Sequence, residues 1–288
     1  VSVETLISAA LRDIKLDLHN EFGDIETFER WHCGDCGLIF FTPWHTGSPE
    51  FYSALSAHSW YQPEDKWEYQ RACDVIGSGL QILDIGCGDG RFHKAIPTTD
   101  YTGLETSLTS ASLNLAENAR IHNQTLEQHG TQFAGTYDVV CAFQVLEHVE
   151  QPRLFVEQAL RCLKPNGQLI LGMPNHKTYL GGLVNFALNS PPHHLTWWSD
   201  ETLKVLEAEL RLRRVRLSHA PLEPWEQELY RMQKLYNWAV PKIERYSSKT
   251  RWHWLIPMAY LGAKLSQLLG LSPKNAQGST MLWIATLR

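Results

Sequence analysis

The chain has 288 residues, 43% of them hydrophobic, enough to bury a full core as one domain with additions rather than two equal ones. A formal net charge of −5 disfavours a protein that grips nucleic acid phosphates through a basic face, and six cysteines, four of them scattered singly, form no disulfide framework. No signal peptide opens the sequence, so a cytoplasmic protein without a nucleic acid partner is expected.

Residues 1 to about 20 place Leu6, Ala9, Ala10, Ile14 and Leu18 at helical spacing, which predicts a short helix packed on the outside of the main domain. The stretch Trp31-His32-Cys33-Gly34-Asp35-Cys36-Gly37 then shows the C-x-x-C-G of a zinc knuckle. Structural zinc takes four ligands and only two thiols are here. His19, His32 and His45 are candidates to complete a site, but a hairpin without metal is the expectation. Between Phe51 and Cys73 aromatic residues crowd the chain, among them Tyr61 and Trp67.

Gln81 to Ile85 read as a buried parallel strand, followed by Gly86-Cys87-Gly88-Asp89-Gly90 and a helix from about Arg91. Glycine suits such a turn because a side chain would block close approach of a ligand to the backbone and could not easily take positive φ. The next strand, Tyr101 to Leu104, ends on Glu105, where a carboxylate can accept hydrogen bonds from both hydroxyls of a ribose. A dinucleotide fold needs G-x-G-x-x-G to seat a pyrophosphate on a helix N-terminus. This chain has G-x-G-x-G with Asp89 inside the turn, which favours a cationic or zwitterionic ligand.

The alternation continues with a helix over 109–119, a weak strand at 121–127, a strong one at 137–143, a helix over 152–163 and a strand at 168–173. Two last strands are expected at 212–219 and 280–287. Strands alternating with helices predict a parallel sheet covered on both faces, with ligands beyond the carboxyl ends of its strands. The glycine turn, Glu105 and Gln144 fall at that edge.

Leu83 to Gly90 resembles the first motif of the class I S-adenosylmethionine-dependent methyltransferases. The resemblance runs on through Tyr137-Asp138-Val139-Val140, Gln144-Val145-Leu146-Glu147-His148-Val149 and Leu163 to Leu171, covering about residues 60 to 220. It implies a Rossmann-like, mostly parallel seven-stranded sheet with its last strand antiparallel, and S-adenosylmethionine as cofactor. The domain layout then reads as an N-terminal extension over 1–50, a cofactor-binding core over 51–220, a C-terminal helical insertion over 221–278 and the final strand at 279–288. Cys33 to Pro43 looks like the second half of the zinc ribbon that several members carry, here without the first half.

The resemblance assigns the cofactor pocket to Asp84, Gly86, Cys87, Gly88, Gly90, Glu105 and Gln144, with Gln124 at the position that reads the adenine amino group. Tyr61 matches a tyrosine near the methionine end, where a sulfonium over an aromatic face is favourable; packing in the core is its alternative. Glu147 and His148 belong, in the family, to the start of the following helix and mostly shape the loop beside the cofactor. Pro191-Pro192-His193-His194-Leu195-Thr196 is similar to members that methylate small molecules, sugars and lipid-linked precursors. His194, and next to it His193, are therefore the candidate bases, the alternative being that they only hold their loop in place. Ser199 and Asp200 cap the helix after them.

Segment 221–278 carries Trp225, Tyr230, Tyr236, Trp238, Trp252 and Trp254, with Lys234, Lys242, Arg245, Lys249 and Arg251 nearby. Lys264, Ser266 and Gln267 break its longest apolar stretch below the roughly twenty residues of a membrane span. It reads as a helical cap against the domain or a homodimer partner; peripheral membrane contact through 225–270, or a greasy acceptor pocket, is the alternative. The expected reaction is in-line methyl transfer to the oxygen of a small-molecule, glycan or lipid-linked acceptor. Its rivals are a cofactor-binding scaffold without turnover and a nucleotide-dependent oxidoreductase.

Overall fold

The computed structural model describes residues 1–58, 60–61, 65–96, 100–106, 119–183, 186–239, 255–269 and 276–287. Helix α1 (Val3–Asp13) starts where the Ser2 hydroxyl accepts from the Thr5 amide at 3.3 Å, and Leu6, Ala9 and Ala10 are buried. Strands β1 (Glu29–His32) and β2 (Ile39–Thr42) form an antiparallel hairpin. Its turn holds both knuckle cysteines as free thiols, and Gly37, at φ 73°, donates its amide to the Cys33 carbonyl at 3.0 Å. His45 meets the Glu21 carbonyl at 2.7 Å and His19 is bound to Asp17.

Helix α2 (Pro49–Ser56), capped by Ser48, and α3 (Trp67–Cys73) lead into the main sheet. In order come β3 (Gln81–Ile85), α4 (Arg91–Ala95), β4 (Asp100–Leu104), β5 (Ala119–His122), α5 (Leu126–Gln132), β6 (Tyr137–Phe143), α6 (Pro152–Cys162) and β7 (Leu163–Pro174). Then follow β8 (Thr196–Trp197), α7 (Asp200–Glu209), β9 (Leu212–Pro221), α8 (Pro224–Ala239), α9 (Leu255–Leu268) and β10 (Gln277–Leu287). The helix expected over 109–119 lies outside the described residues, except Ala119, which opens β5. The weak strand expected at 121–127 is displaced to 119–122. Thr125 and Gln128 form a reciprocal capping box that commits the chain to α5 from Leu126 onward.

Seven strands run in the order β5-β4-β3-β6-β7-β10-β9. The first five are parallel, and β10 enters antiparallel between β7 and β9, pairing Trp283 with Leu171 on one side and Leu217 on the other. Adjacent residues point to opposite faces. Leu83, Val140 and Leu171 pack with Phe155, Val156 and Ala159 of α6, while Ile82, Val139 and Ile170 pack with Tyr69 of α3 and Phe92 of α4. Each large apolar side chain so buried contributes roughly 1.5–3 kcal/mol.

A second sheet of three strands joins β8 to the hairpin, with Ile39 opposite Trp197 and Phe40 opposite Thr196. The N-terminal hairpin is therefore fastened to the segment that carries His193 and His194, a link that only long-range pairing provides. Helices α8 and α9 pack on each other between β9 and β10. Their outer face is not covered by the core: Trp238 and Leu268 are 87% and 85% exposed. Among the described residues no helix is long and apolar enough to cross a membrane. Trp252, Trp254, Lys242, Arg245, Lys249 and Arg251 lie outside the described residues.

Candidate active site

The glycine turn curls over the end of β4. The Gly86 and Cys87 amides both donate to the Leu104 carbonyl, at 2.8 and 3.1 Å. Gly86, Gly88 and Gly90 have φ of 69°, 56° and 73°, and a Cβ on Gly86 would come within 2.6 Å of Val145 Cγ2. Side chains are thus excluded by conformation and by space. The Gly88 amide donates to Glu105 Oε2 at 3.0 Å, joining the tips of β3 and β4. Asp89 is paired with Arg91 at 2.7 Å, so part of the turn's negative charge is compensated, and the glycine spacing discriminates against pyrophosphate more than Asp89 does.

Asp84 is 2% exposed and lies under the turn rather than on the cleft wall. Tyr101 donates its hydroxyl to Asp84 Oδ2 at 2.5 Å, and burial pushes the carboxyl up to about 7. Cys87 lines the cleft with its thiol pushed up by burial. Gln124 is turned to His129, with Oε1 3.2 Å from the ring Nδ1, and is not among the described residues of the cleft wall.

The turn opens on a cleft of about 1090 Å³, which also takes in Tyr61, Gln144, Glu147, His148, His193 and His194. Gln144 sits at φ 59° with its amide donating to the Gly172 carbonyl at 2.8 Å. Its side-chain amide donates to Glu68 Oε1 of α3 at 3.2 Å. Residues 175–183 and 186–195 bring Tyr179, Leu180, Leu183, Phe186 and Leu188 to the wall as well. The Leu195 amide donates to the Glu147 carbonyl at 2.8 Å and Thr196 Oγ1 to the Leu146 carbonyl at 3.4 Å, stitching this loop to the short turn Leu146–His148.

Hydrogen-bond chemistry settles the tautomer of His193. Its Nδ1 is 2.8 Å from the Leu188 carbonyl, which only accepts, so Nδ1 carries the hydrogen. The lone pair at Nε2 then accepts the Tyr61 hydroxyl at 2.9 Å. His148 likewise gives Nδ1–H to the His193 carbonyl, and His194 Nδ1 lies 3.4 Å from Asn189 Oδ1. Among the described residues neither carboxyl oxygen of Glu147 has a hydrogen-bond partner, although Oε1 is 3.8 Å from His148 Nε2 and 4.0 Å from His194 Nε2.

Burial governs the charge of this cluster. It pushes the Glu147 carboxyl up to about 8, lowers His148 to about 4 and holds His193 and His194 well below their ordinary 6.5. At neutral pH the cluster is a carboxylic acid among neutral imidazoles. His148, His193 and His194 do bring ligand atoms within 4.8 Å of one another, but both nitrogens of His193 are already engaged. Beyond the sequence-derived candidates, the structure adds Glu68, Asn189 and Glu226. The last, 2% exposed, accepts the Tyr179 hydroxyl at 3.0 Å and the Ser279 amide at 2.8 Å. Nothing local in the sequence marks it.

A glycine turn and a strand-tip carboxylate at the carboxyl edge of a sheet with an inserted antiparallel strand define a methyltransferase fold. A family model described as a methyltransferase domain matches residues 60–210, slightly more than half of the chain, and the chain belongs to that family. A SAM-dependent methyltransferase from Archaeoglobus fulgidus superposes with a TM-score of 0.50 over 83% of this chain and 94% of its own, at 19% identity. A chain of a complex between a methyltransferase and its activator from Haloferax volcanii gives 0.54 over 83% and 96%, at 13% identity.

The mitochondrial ubiquinone biosynthesis O-methyltransferase of Schizosaccharomyces pombe is 37% identical over 120 residues, 38% of this chain and 43% of that protein. The ubiquinone biosynthesis O-methyltransferase of Erwinia tasmaniensis is 34% identical over 128 residues, 41% and 52% of the two chains. The matched region thus spans about half the length of these curated relatives. S-adenosylmethionine is the cofactor that family and fold imply, and the residues fit it: a side-chain-free cradle at Gly86 and a carboxylate at the tip of β4. The inserted β10 and the family match set the oxidoreductase reading aside.

Proposed function

We propose that the protein is an S-adenosylmethionine-dependent O-methyltransferase acting on the hydroxyl of a small molecule with an apolar body, lipid-linked acceptors included. The observation that carries this reading is the Tyr61–His193 hydrogen bond, which opens on the same cleft as the glycine turn. The acceptor side is apolar: Leu180, Leu183, Phe186, Leu188 and Leu229 line it. Such a wall suits a ring or lipid tail, with a few convergent polar groups setting orientation. The kinship to ubiquinone biosynthesis O-methyltransferases supports the same acceptor chemistry.

When bound, the cofactor supplies a methyl group on a cationic sulfonium. Glu105 and the glycine backbone hold its nucleoside, and the apolar side chains of Leu180, Leu183, Phe186 and Leu188 exclude water from the reacting groups. Tyr61 takes the proton of the acceptor hydroxyl as its own proton passes to His193 Nε2. The hydrogen bond from His193 Nδ1 to Leu188 keeps that lone pair aimed at Tyr61. With the cofactor bound, His193 would end as the imidazolium in place of the cationic sulfonium, so the net charge inside the cleft would not change. An imidazole that burial makes hard to protonate can therefore serve as the base.

Calorimetric titration with S-adenosylmethionine, S-adenosylhomocysteine and NADH, on the parent and on Glu105→Ala, tests the cofactor half. Micromolar binding of the two adenosyl ligands, weakened in the variant, is expected; binding of NADH alone would overturn it. Release of S-adenosylhomocysteine in the presence of catechols or prenylated phenols tests the acceptor half. Donor binding without turnover on any hydroxylated acceptor would favour the scaffold reading instead.

A further inference from the structure

The turn Tyr179–Gly182 divides the cleft from a second cavity of about 700 Å³. Tyr179 lines both; Leu180 faces the cleft, while Gly181 and Gly182 face the second cavity. One wall is a single stripe of α8: Tyr230, Gln233, Lys234 and Asn237, spaced i, i+3, i+4 and i+7. The stripe is polar and turned into a cavity, while Trp238 of the same helix stands 87% exposed. A surface helix ordinarily does the reverse.

Charge follows the same pattern. Arg30 from β1, Lys177 from the acceptor loop and Lys234 bring three cations to the walls, and no Asp or Glu is among the described lining residues, in a chain of net charge −5. The Arg30 guanidinium lies over the Trp197 ring at 5.6 Å and the Lys234 ammonium over Tyr230 at 5.4 Å. Lys177 has Glu201 at 3.9 Å, a pair more than half exposed and weakened by solvent.

We propose that this cavity binds a phosphate-bearing small molecule, a sugar phosphate or a nucleotide, at a site separate from the methyl-transfer cleft. Arg30, with Lys177 and Lys234, takes the phosphate, since a guanidinium matches its geometry and the two ammonium groups add charge. Tyr230 offers apolar contact to the sugar or base, and the amides of Gln233 and Gln277 serve its hydroxyls or edges. Occupancy bears directly on the turn that carries Tyr179 into the cleft.

The test is calorimetry on the full chain with uridine monophosphate and glucose 1-phosphate, using uridine and glucose as uncharged controls. Saturable binding of a phosphorylated ligand without binding of its control is expected, weakened about tenfold or more in Arg30→Gln and in Lys234→Gln. Both positions are exposed, so thermal melts of the variants should match the parent, and affinity for S-adenosylmethionine should be unchanged. Preference for one ester over the other identifies the nucleotide or the sugar as the source. No binding of either ester at millimolar concentration, or binding that both variants leave intact, would overturn the proposal.

Discussion

The Tyr61 hydroxyl donates to His193 Nε2 at 2.9 Å, joining two residues 132 positions apart in the chain, and this contact orders the chemistry proposed for the cleft. Tyr61→Phe removes the hydroxyl and keeps the ring. Turnover should fall about 100-fold, with affinity for S-adenosylmethionine within about twofold of the parent. His193→Ala should show the same loss, and the double variant little more, because the two act as one unit. Steady-state kinetics with calorimetry checks this; additive losses would mean that the two residues act separately.

Gly86→Ala tests the cradle. The added methyl meets Val145 Cγ2 at 2.6 Å, and φ of 69° is strained for any side chain. Destabilisation of about 1–3 kcal/mol is expected from the strain, together with loss of measurable donor binding. A variant that melts like the parent and binds S-adenosylmethionine normally would show that the turn tolerates a side chain.

How far the sequence discloses this arrangement depends on how local each feature is. The strand, glycine turn, helix and Glu105 lie within a short span and obey local rules, so β3, α4 and the tip of β4 can be read directly. Helix α7 is readable for the same reason, since Ser199 caps it from the preceding position. The β5 boundary differs from the strand pattern because the Thr125–Gln128 capping box outweighs the weak strand signal after His122. Tyr61 is readable from the sequence as an aromatic near the cofactor, but its hydrogen bond to His193 depends on the fold bringing distant segments together. The same holds for the carboxyl of Glu147: its position next to His148 in sequence says nothing of burial among three imidazoles, two of which come from a loop pinned by β8.

Glu105→Ala separates binding from stability. The carboxylate accepts from the Gly88 amide at 3.0 Å at the surface of the turn, outside the buried clusters of the sheet. A charge-assisted hydrogen bond from the ribose is worth roughly 1.5–3 kcal/mol, so donor affinity should drop about tenfold or more, with a separate modest fall in melting temperature from the lost bond to Gly88. Unchanged affinity in calorimetry would remove Glu105 from the cofactor site.

The Glu147 cluster predicts a stability profile with two arms. Folded Glu147 keeps its proton up to about 8, whereas unfolded it releases it near the ordinary 4.5. The stability this contributes is fully present below about 4.5 and is lost as pH rises toward 8; Asp84, raised to about 7, acts in the same direction. His148, lowered to about 4, with His193 and His194, lowered well below 6.5, contributes stability that is present above 6.5 and lost as pH falls. Glu147→Gln keeps the shape and removes the proton. Its melting temperature relative to the parent should therefore rise between pH 5 and pH 8, by the equivalent of a few kcal/mol at most, leaving the acid arm unchanged. A relative melting temperature that instead falls across that range would mean that Glu147 is an ionised, partnered carboxylate in the folded protein.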